Sequence, residues 1–174
     1  PEARSFRTPL GEVAVDEELA RAARAAGAVE IDEAHAREHS LEVELPFLQR
    51  SLASVTLLPL AVGRATEEEV ARVLESVWGG PDTLIVVSTD LSHYLPQAVA
   101  KRVDEETARA IERLEAVSTE RACGAHGLNG LLAVARTRHM RVERLDLRTS
   151  GDTAGGRAEV VGYGAFALFE EAAR

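Results

Sequence analysis

Apolar residues along the chain fall into two patterns. Some form short continuous runs. Others recur at helical spacing. Residues 84–87, Leu-Ile-Val-Val, follow a Pro81-Asp82 turn signal and read as a strand buried on both faces, as in a parallel sheet. Residues 55–62 show the same pattern, and residues 29–31 suggest a shorter strand. Asp16 is placed to cap a helix running to about Ala26, with Gly27 as its stop. From Asp32, the positions Leu41, Leu45, Leu48 and Leu52 recur at helical spacing, with Phe47 expected on the same face and a kink or break at Pro46. Thr66-Glu-Glu-Glu69 is a capping box opening a helix to about Trp78.

Beyond Pro96 the pattern predicts an amphipathic helix to about Glu115, with Val99, Val103, Ala110, Ile111 and Leu114 inward. A short helix from Ser118 is expected to carry Cys123, to be interrupted at Gly124-Ala-His-Gly127 and to be followed by a helix over 128–138. Residues 140–147 alternate as a half-exposed strand does, and Val160–Phe169 reads as a closing strand paired antiparallel with it. The alternation of strands and helices predicts an α/β fold: a single three-layer domain with a mixed, largely parallel central sheet flanked by helices.

The richest stretch in chemical groups is Ser88, Thr89, Asp90, Ser92, His93 and Tyr94, delivered at the end of the 84–87 run. In open α/β sheets ligands bind at the carboxyl ends of strands. Asp90 and His93, three residues apart, form a carboxylate–imidazole pair suited to acid/base work. Of the other histidines, His39 stands at an element boundary, His35 and His139 read as surface residues, and His126 follows the single cysteine, Cys123, by three positions. The spacing leaves two chemistries open. One is a metal site using His39, Cys123 and His93. The other is a cysteine nucleophile activated by His126 or His93. The loop Ser150-Gly-Asp-Thr-Ala-Gly-Gly156 lacks the lysine and the context of a P-loop, and Asp152 is its one member able to reach a site.

With 174 residues the chain suits one domain. A net charge of −9 without a basic stripe argues against a nucleic-acid backbone as partner. One cysteine permits no intrachain disulfide, and no run has membrane-span length, so a cytoplasmic setting is expected. Abundant Ala and Arg suit a GC-rich bacterial genome, and many ion-pairing groups suit a thermophile.

Several segments in order resemble the Memo family, known in bacteria as protein B of the AmmeMemoRadiSam system. They are Phe6-Arg-Thr-Pro-Leu-Gly-Glu-Val-Ala-Val-Asp16, Glu38-His-Ser-Leu-Glu-Val-Glu-Leu-Pro-Phe-Leu-Gln49, Val87-Ser-Thr-Asp-Leu-Ser-His-Tyr94, Ala122-Cys-Gly124, and Ser150-Gly-Asp-Thr with the later Val-Val-Gly-Tyr163. The resemblance implies a fold like class III extradiol dioxygenases, which are non-haem iron enzymes. It implies metal ligation by His39 and Cys123, proton transfer by His93 with Asp90 beside it, and Fe(II) as the cofactor. The implied activity is that of a dioxygenase-like oxidoreductase acting on a small molecule. The implied alternative is a non-catalytic module that binds a peptide in the same pocket. A cysteine hydrolase ranks last. AMMECR-type and radical SAM proteins are the implied partners.

The family's Pro-His-Ala-Gly-Tyr and Gly-Pro-Ser-His segments are not found in this sequence. The chain is therefore expected to be the C-terminal two-thirds of the family domain, with a first ligand histidine and N-terminal strands lying upstream of Pro1. Metal binding by this stretch is expected to be weak, since open non-haem iron sites use three protein ligands. His93 and Cys123 are expected to approach each other in space.

Overall fold

The structure is a computed structural model that describes residues 1–153 and 155–170. The chain divides into two compact units, residues 1–63 with 72–88, and residues 64–71 with 89 onward.

The first unit opens with a hairpin, β1 (Ser5–Thr8) and β2 (Gly11–Ala14), paired antiparallel from Ser5↔Ala14 to Thr8↔Gly11. Its Thr-Pro-Leu-Gly turn was legible in sequence because Gly11 takes the left-handed region at φ 125°. The strands were not, since only Val13 is buried. Helix α1 (Glu17–Ala25) starts where Asp16 accepts the N–H groups of Glu18 and Leu19, both at 3.0 Å, and buries Ala20 and Ala23.

The helix expected from Asp32 is instead two, α2 (Asp32–His35) and α3 (Ser40–Ser51). The Glu38 carboxylate accepts the N–H groups of His39 and Ser40 at 2.8 Å, and this gives the chain a second helix start. Hydrogen bonding to Ser40 also lowers the Glu38 pKa. Pro46 lies inside α3 without ending it. Leu45 is buried, but Phe47 is 71% exposed, contrary to expectation. Two residues advance a helix by about 200°, so Phe47 faces away from the Leu45 stripe.

Neither expected buried strand forms. Residues 84–87 lie in no strand, with Leu84 and Val86 exposed. The 55–62 segment makes one isolated parallel bridge, Val15↔Leu57. Residues 29–31 are likewise irregular, with Val29 and Ile31 exposed. An apolar run becomes a buried strand only when neighbours satisfy its backbone. Among the described residues, no strand pairs with these segments beyond the single bridge.

Helix α4 (Glu67–Ser76) opens with the expected reciprocal cap. The Thr66 N–H donates to Glu69 at 2.9 Å, and the Glu69 N–H donates to the Thr66 hydroxyl at 3.2 Å.

The second unit holds β3 (His93–Leu95), α5 (Gln97–Glu112), α6 (Ala125–Thr137), β4 (Arg141–Thr149) and β5 (Val160–Phe169), with a 3-10 turn at Ser150–Asp152. The strands form one sheet in the order β3-β5-β4, antiparallel throughout. The antiparallel pairing of the last two strands matches the sequence reading. The largely parallel sheet does not: among the described residues the only parallel pairing is the Val15–Leu57 bridge. The fold is a mixture of helices and small antiparallel sheets.

Helix α5 lies against β4 and β5. Its buried stripe is Ala100, Asp104, Thr107, Ala108 and Ile111, at helical three-to-four spacing. Arg144 on β4 ties the two elements by donating to Glu105 at 2.7 Å and Glu112 at 2.8 Å. The segment from Ser118 is a turn rather than a helix, closed by Arg121 N–H to the Ser118 carbonyl at 3.0 Å. Helix α6 begins at Ala125, so Gly127 lies inside it instead of interrupting it. Gly130 further along α6 lets Val70 pack where a Cβ would sit. No helix among the described residues is long and apolar enough to cross a membrane.

Candidate metal centre

Two loops of the second unit carry the site. The first follows the 84–87 run and holds Asp90. It is stitched to β5 by Leu91 N–H to the Gly162 carbonyl at 2.9 Å and Gly162 N–H to the Ser92 carbonyl at 2.8 Å. Behind it, the buried Asp104 carboxylate accepts the Ser92 N–H at 3.0 Å. His93 then enters β3 opposite Val161, and the register slips between His93 and Leu95. Tyr94 at the slip has φ 55°, a left-handed conformation rare for a bulky residue. Such a bulge re-aims the neighbouring side chain.

The second loop is the turn before α6. Cys123 sits there with its side chain exposed. Its N–H donates to the Asp90 carbonyl at 3.3 Å, and the Asp90 N–H donates to its sulfur at 3.3 Å. Asp90 and Cys123 thus hold each other through backbone and side chain.

This stitching brings Asp90, His93 and Cys123 together. One ligand atom from each lies within 4.8 Å of the other two, the one such acidic, histidine or cysteine group of three or more among the described residues. His93 Nε2 stands 3.6 Å from Asp90 Oδ2, and both side chains are partly open to solvent. That separation is too long for a strong hydrogen bond. It is close to the spacing of two ligands on one ion, since bonds of about 2.0–2.3 Å at tetrahedral angles put neighbouring donor atoms about 3.5 Å apart. Thiolate, imidazole and carboxylate are all ligands of transition-metal ions.

Three further residues were singled out from sequence. His39 belongs to the first unit, where it is exposed at the head of α3. His126 on α6 places Nδ1 3.0 Å from the Ala65 carbonyl. Asp152 is committed to its own loop and to α5. It accepts from Lys101 at 2.7 Å, Gln97 at 2.9 Å and the Thr149 N–H at 2.9 Å. The lysine and the Thr149 amide depress its pKa to about 2. Ala154 of that loop lies outside the described residues.

Sequence reasoning gave Thr89, within the polar stretch, no role of its own and did not single out Asp104. Its position on the apolar stripe of α5, four residues after Ala100 and four before Ala108, was the available signal.

The family described as Memo-like protein matches residues 2–167. A MEMO1 family protein of Metallosphaera sedula is 33% identical over 174 residues, covering 91% of this chain and 62% of the relative. One from Methanothermobacter thermautotrophicus is 34% identical over 178 residues, covering 91% and 63%. One from Archaeoglobus fulgidus is 32% identical over 172 residues, covering 91% and 66%. These relatives are archaeal, and the chain spans under two-thirds of their length.

Proposed function

We propose, from the premise that the chain belongs to the Memo-like protein family, that Asp90, His93 and Cys123 bind one divalent metal ion. The observation that carries this reading is the convergence of three different donor types across two loops, with Nε2 and Oδ2 at ligand-to-ligand rather than hydrogen-bond distance. It shifts the role of His93. As proton carrier, His93 would need Asp90 within about 3.2 Å to fix its tautomer. At 3.6 Å, ligation is the better use of the pair.

Three protein ligands leave coordination positions open, and an ion so held supplies Lewis-acid or redox chemistry to whatever occupies them. The residues of this chain supply the rest. Asp90 contributes charge, Cys123 a soft and strongly donating sulfur, and the partial exposure of all three admits a small molecule from solvent. The finer parts of the proposal rest on the motif resemblance. They are Fe(II) as the ion, dioxygenase-like oxidoreductase chemistry on a small molecule, a class III extradiol dioxygenase-like architecture, and a place in the AmmeMemoRadiSam system beside AMMECR-type and radical SAM proteins.

Metal titration under anaerobic conditions tests the core of it. One Co(II) or Fe(II) per chain is expected. Asp90→Ala, His93→Ala and Cys123→Ser should each weaken binding by about 100-fold, because an open site left with two ligands loses most of its affinity. Bound metal should also protect Cys123, the single cysteine, from alkylation. A Cys123→Ser protein that binds as well as the parent, or alkylation that ignores metal, refutes the site. Oxygen uptake with catechol-type substrates tests the chemistry separately.

A further inference from the structure

Thr89 lies beside the site without being a ligand, and it touches both loops. Its Oγ1 accepts the Gly124 N–H at 2.8 Å, donates to the Asp90 carbonyl at 2.8 Å, and stands 3.6 Å from the Cys123 sulfur. Gly124 is the N-cap residue of α6 and carries no capping side chain of its own. Thr89, 35 positions earlier, provides the acceptor for its N–H. With the reciprocal Asp90–Cys123 bonds, Thr89, Asp90, Cys123 and Gly124 close a ring of hydrogen bonds. The single hydroxyl proton faces two acceptors, the Asp90 carbonyl and the sulfur. The lone pair on the other side is taken by Gly124.

We infer that Thr89 is a positioning residue: its hydroxyl sets the Cys123 sulfur against Asp90 and thereby fixes two of the three metal ligands. This rests on the metal-binding reading above. Outer-shell groups that orient ligands commonly change metal affinity about 10–100-fold when removed. Thr89→Val keeps the shape and deletes the hydroxyl. It leaves the Gly124 N–H without its acceptor and removes one donor from the Asp90 carbonyl, which keeps the Cys123 N–H. Thr89→Ser keeps the hydroxyl.

Co(II) titration of the full chain, followed by the thiolate-to-cobalt charge-transfer absorption, decides it. For Thr89→Val the expected result is an affinity lower by about 10–100-fold and an altered charge-transfer band, with far-UV circular dichroism intact. For Thr89→Ser, affinity and band return to those of the parent. A purely structural hydroxyl would lower the melting temperature and leave the band unmoved. If the parent shows the band and Thr89→Val matches it in affinity and spectrum, the inference falls while the metal site stands. If the parent shows no band, or Cys123→Ser keeps it, the metal site falls and the inference with it. Should Thr89→Val not fold, amide exchange in the parent decides. Under the inference Co(II) slows the Gly124 and Asp90 amides, and unchanged exchange overturns it.

Discussion

Replacing Gly162 by alanine tests the support beneath the site. Gly162 lies on β5 opposite Thr149, and its backbone exchanges hydrogen bonds with Leu91 and Ser92. A Cβ built there would overlap the Asp104 carboxylate, standing 2.5 Å from Cγ and 2.7 Å from Oδ1, with Oδ2 nearer still. Asp104 is only 1% exposed and is held by the Ser92 N–H, so the carboxylate has no solvent to swing into. Overpacking of this kind costs about 1–3 kcal/mol. Losing the charged acceptor of the Ser92 N–H adds about 1.5–3 kcal/mol. Relief from strand-glycine entropy offsets about 0.5–1 kcal/mol. The net expectation is a loss of about 2–5 kcal/mol, or a urea midpoint lower by roughly 1–2.5 M at a slope of about 2 kcal/mol per molar. Metal affinity should drop as well, since Ser92 precedes His93. In an Asp104→Ala background the same substitution should cost far less, because the added methyl then occupies vacated space. A loss under about 1 kcal/mol in the parent, or an equal loss in both backgrounds, refutes the overlap. Gly80→Ala, with nothing within 4 Å of its Cβ, is the control.

Tyr94→Gly should be neutral or stabilising by up to about 1 kcal/mol, because the left-handed backbone penalty of about 1–2 kcal/mol exceeds the entropic cost of glycine. Tyr94 is 74% exposed, so little packing is lost, and a thermal-melt loss above about 1 kcal/mol would show that its ring is structural. The Asp152 pKa, depressed to about 2 from an ordinary 3.8, gives a signed pH dependence. A depressed carboxylate stabilises above its unfolded pKa and loses that stabilisation as pH falls through its folded one. The stability gap between the parent and Asp152→Asn should therefore be full at pH 7 and shrink between about pH 4 and pH 2. A gap that stays constant through acid titration would mean that Asp152 contributes no charge interaction.

The parts legible in sequence are those fixed within a few residues. Asp16 as a helix cap, the Thr66–Glu69 box and the Gly11 turn all depend on neighbours no more than three or so positions away, and each is present. Of the 140s and 160s strands, the first was readable because exposed and half-buried residues alternate along most of it. Their order along the chain permitted an antiparallel pair. The apolar runs at 55–62 and 84–87 misled for the converse reason. Hydrophobicity shows that a segment prefers cover, but the ladder that makes it a strand belongs to whatever lies beside it. Phe47 failed through angle: its neighbours set the stripe and it fell off it.

The sequence by itself determined which residues could carry chemistry: a carboxylate, an imidazole and a single thiol at Asp90, His93 and Cys123. It did not determine that all three would converge with Thr89 bridging their loops, nor that Asp104 would be buried beneath them. Those facts follow from β5, whose Gly162 grips the Asp90–His93 loop from 70 positions away and leaves room at its Cα for the Asp104 carboxylate. Capping and periodicity are local energies that a short window contains. The meeting of two loops is set by long-range pairing, which no window of sequence holds.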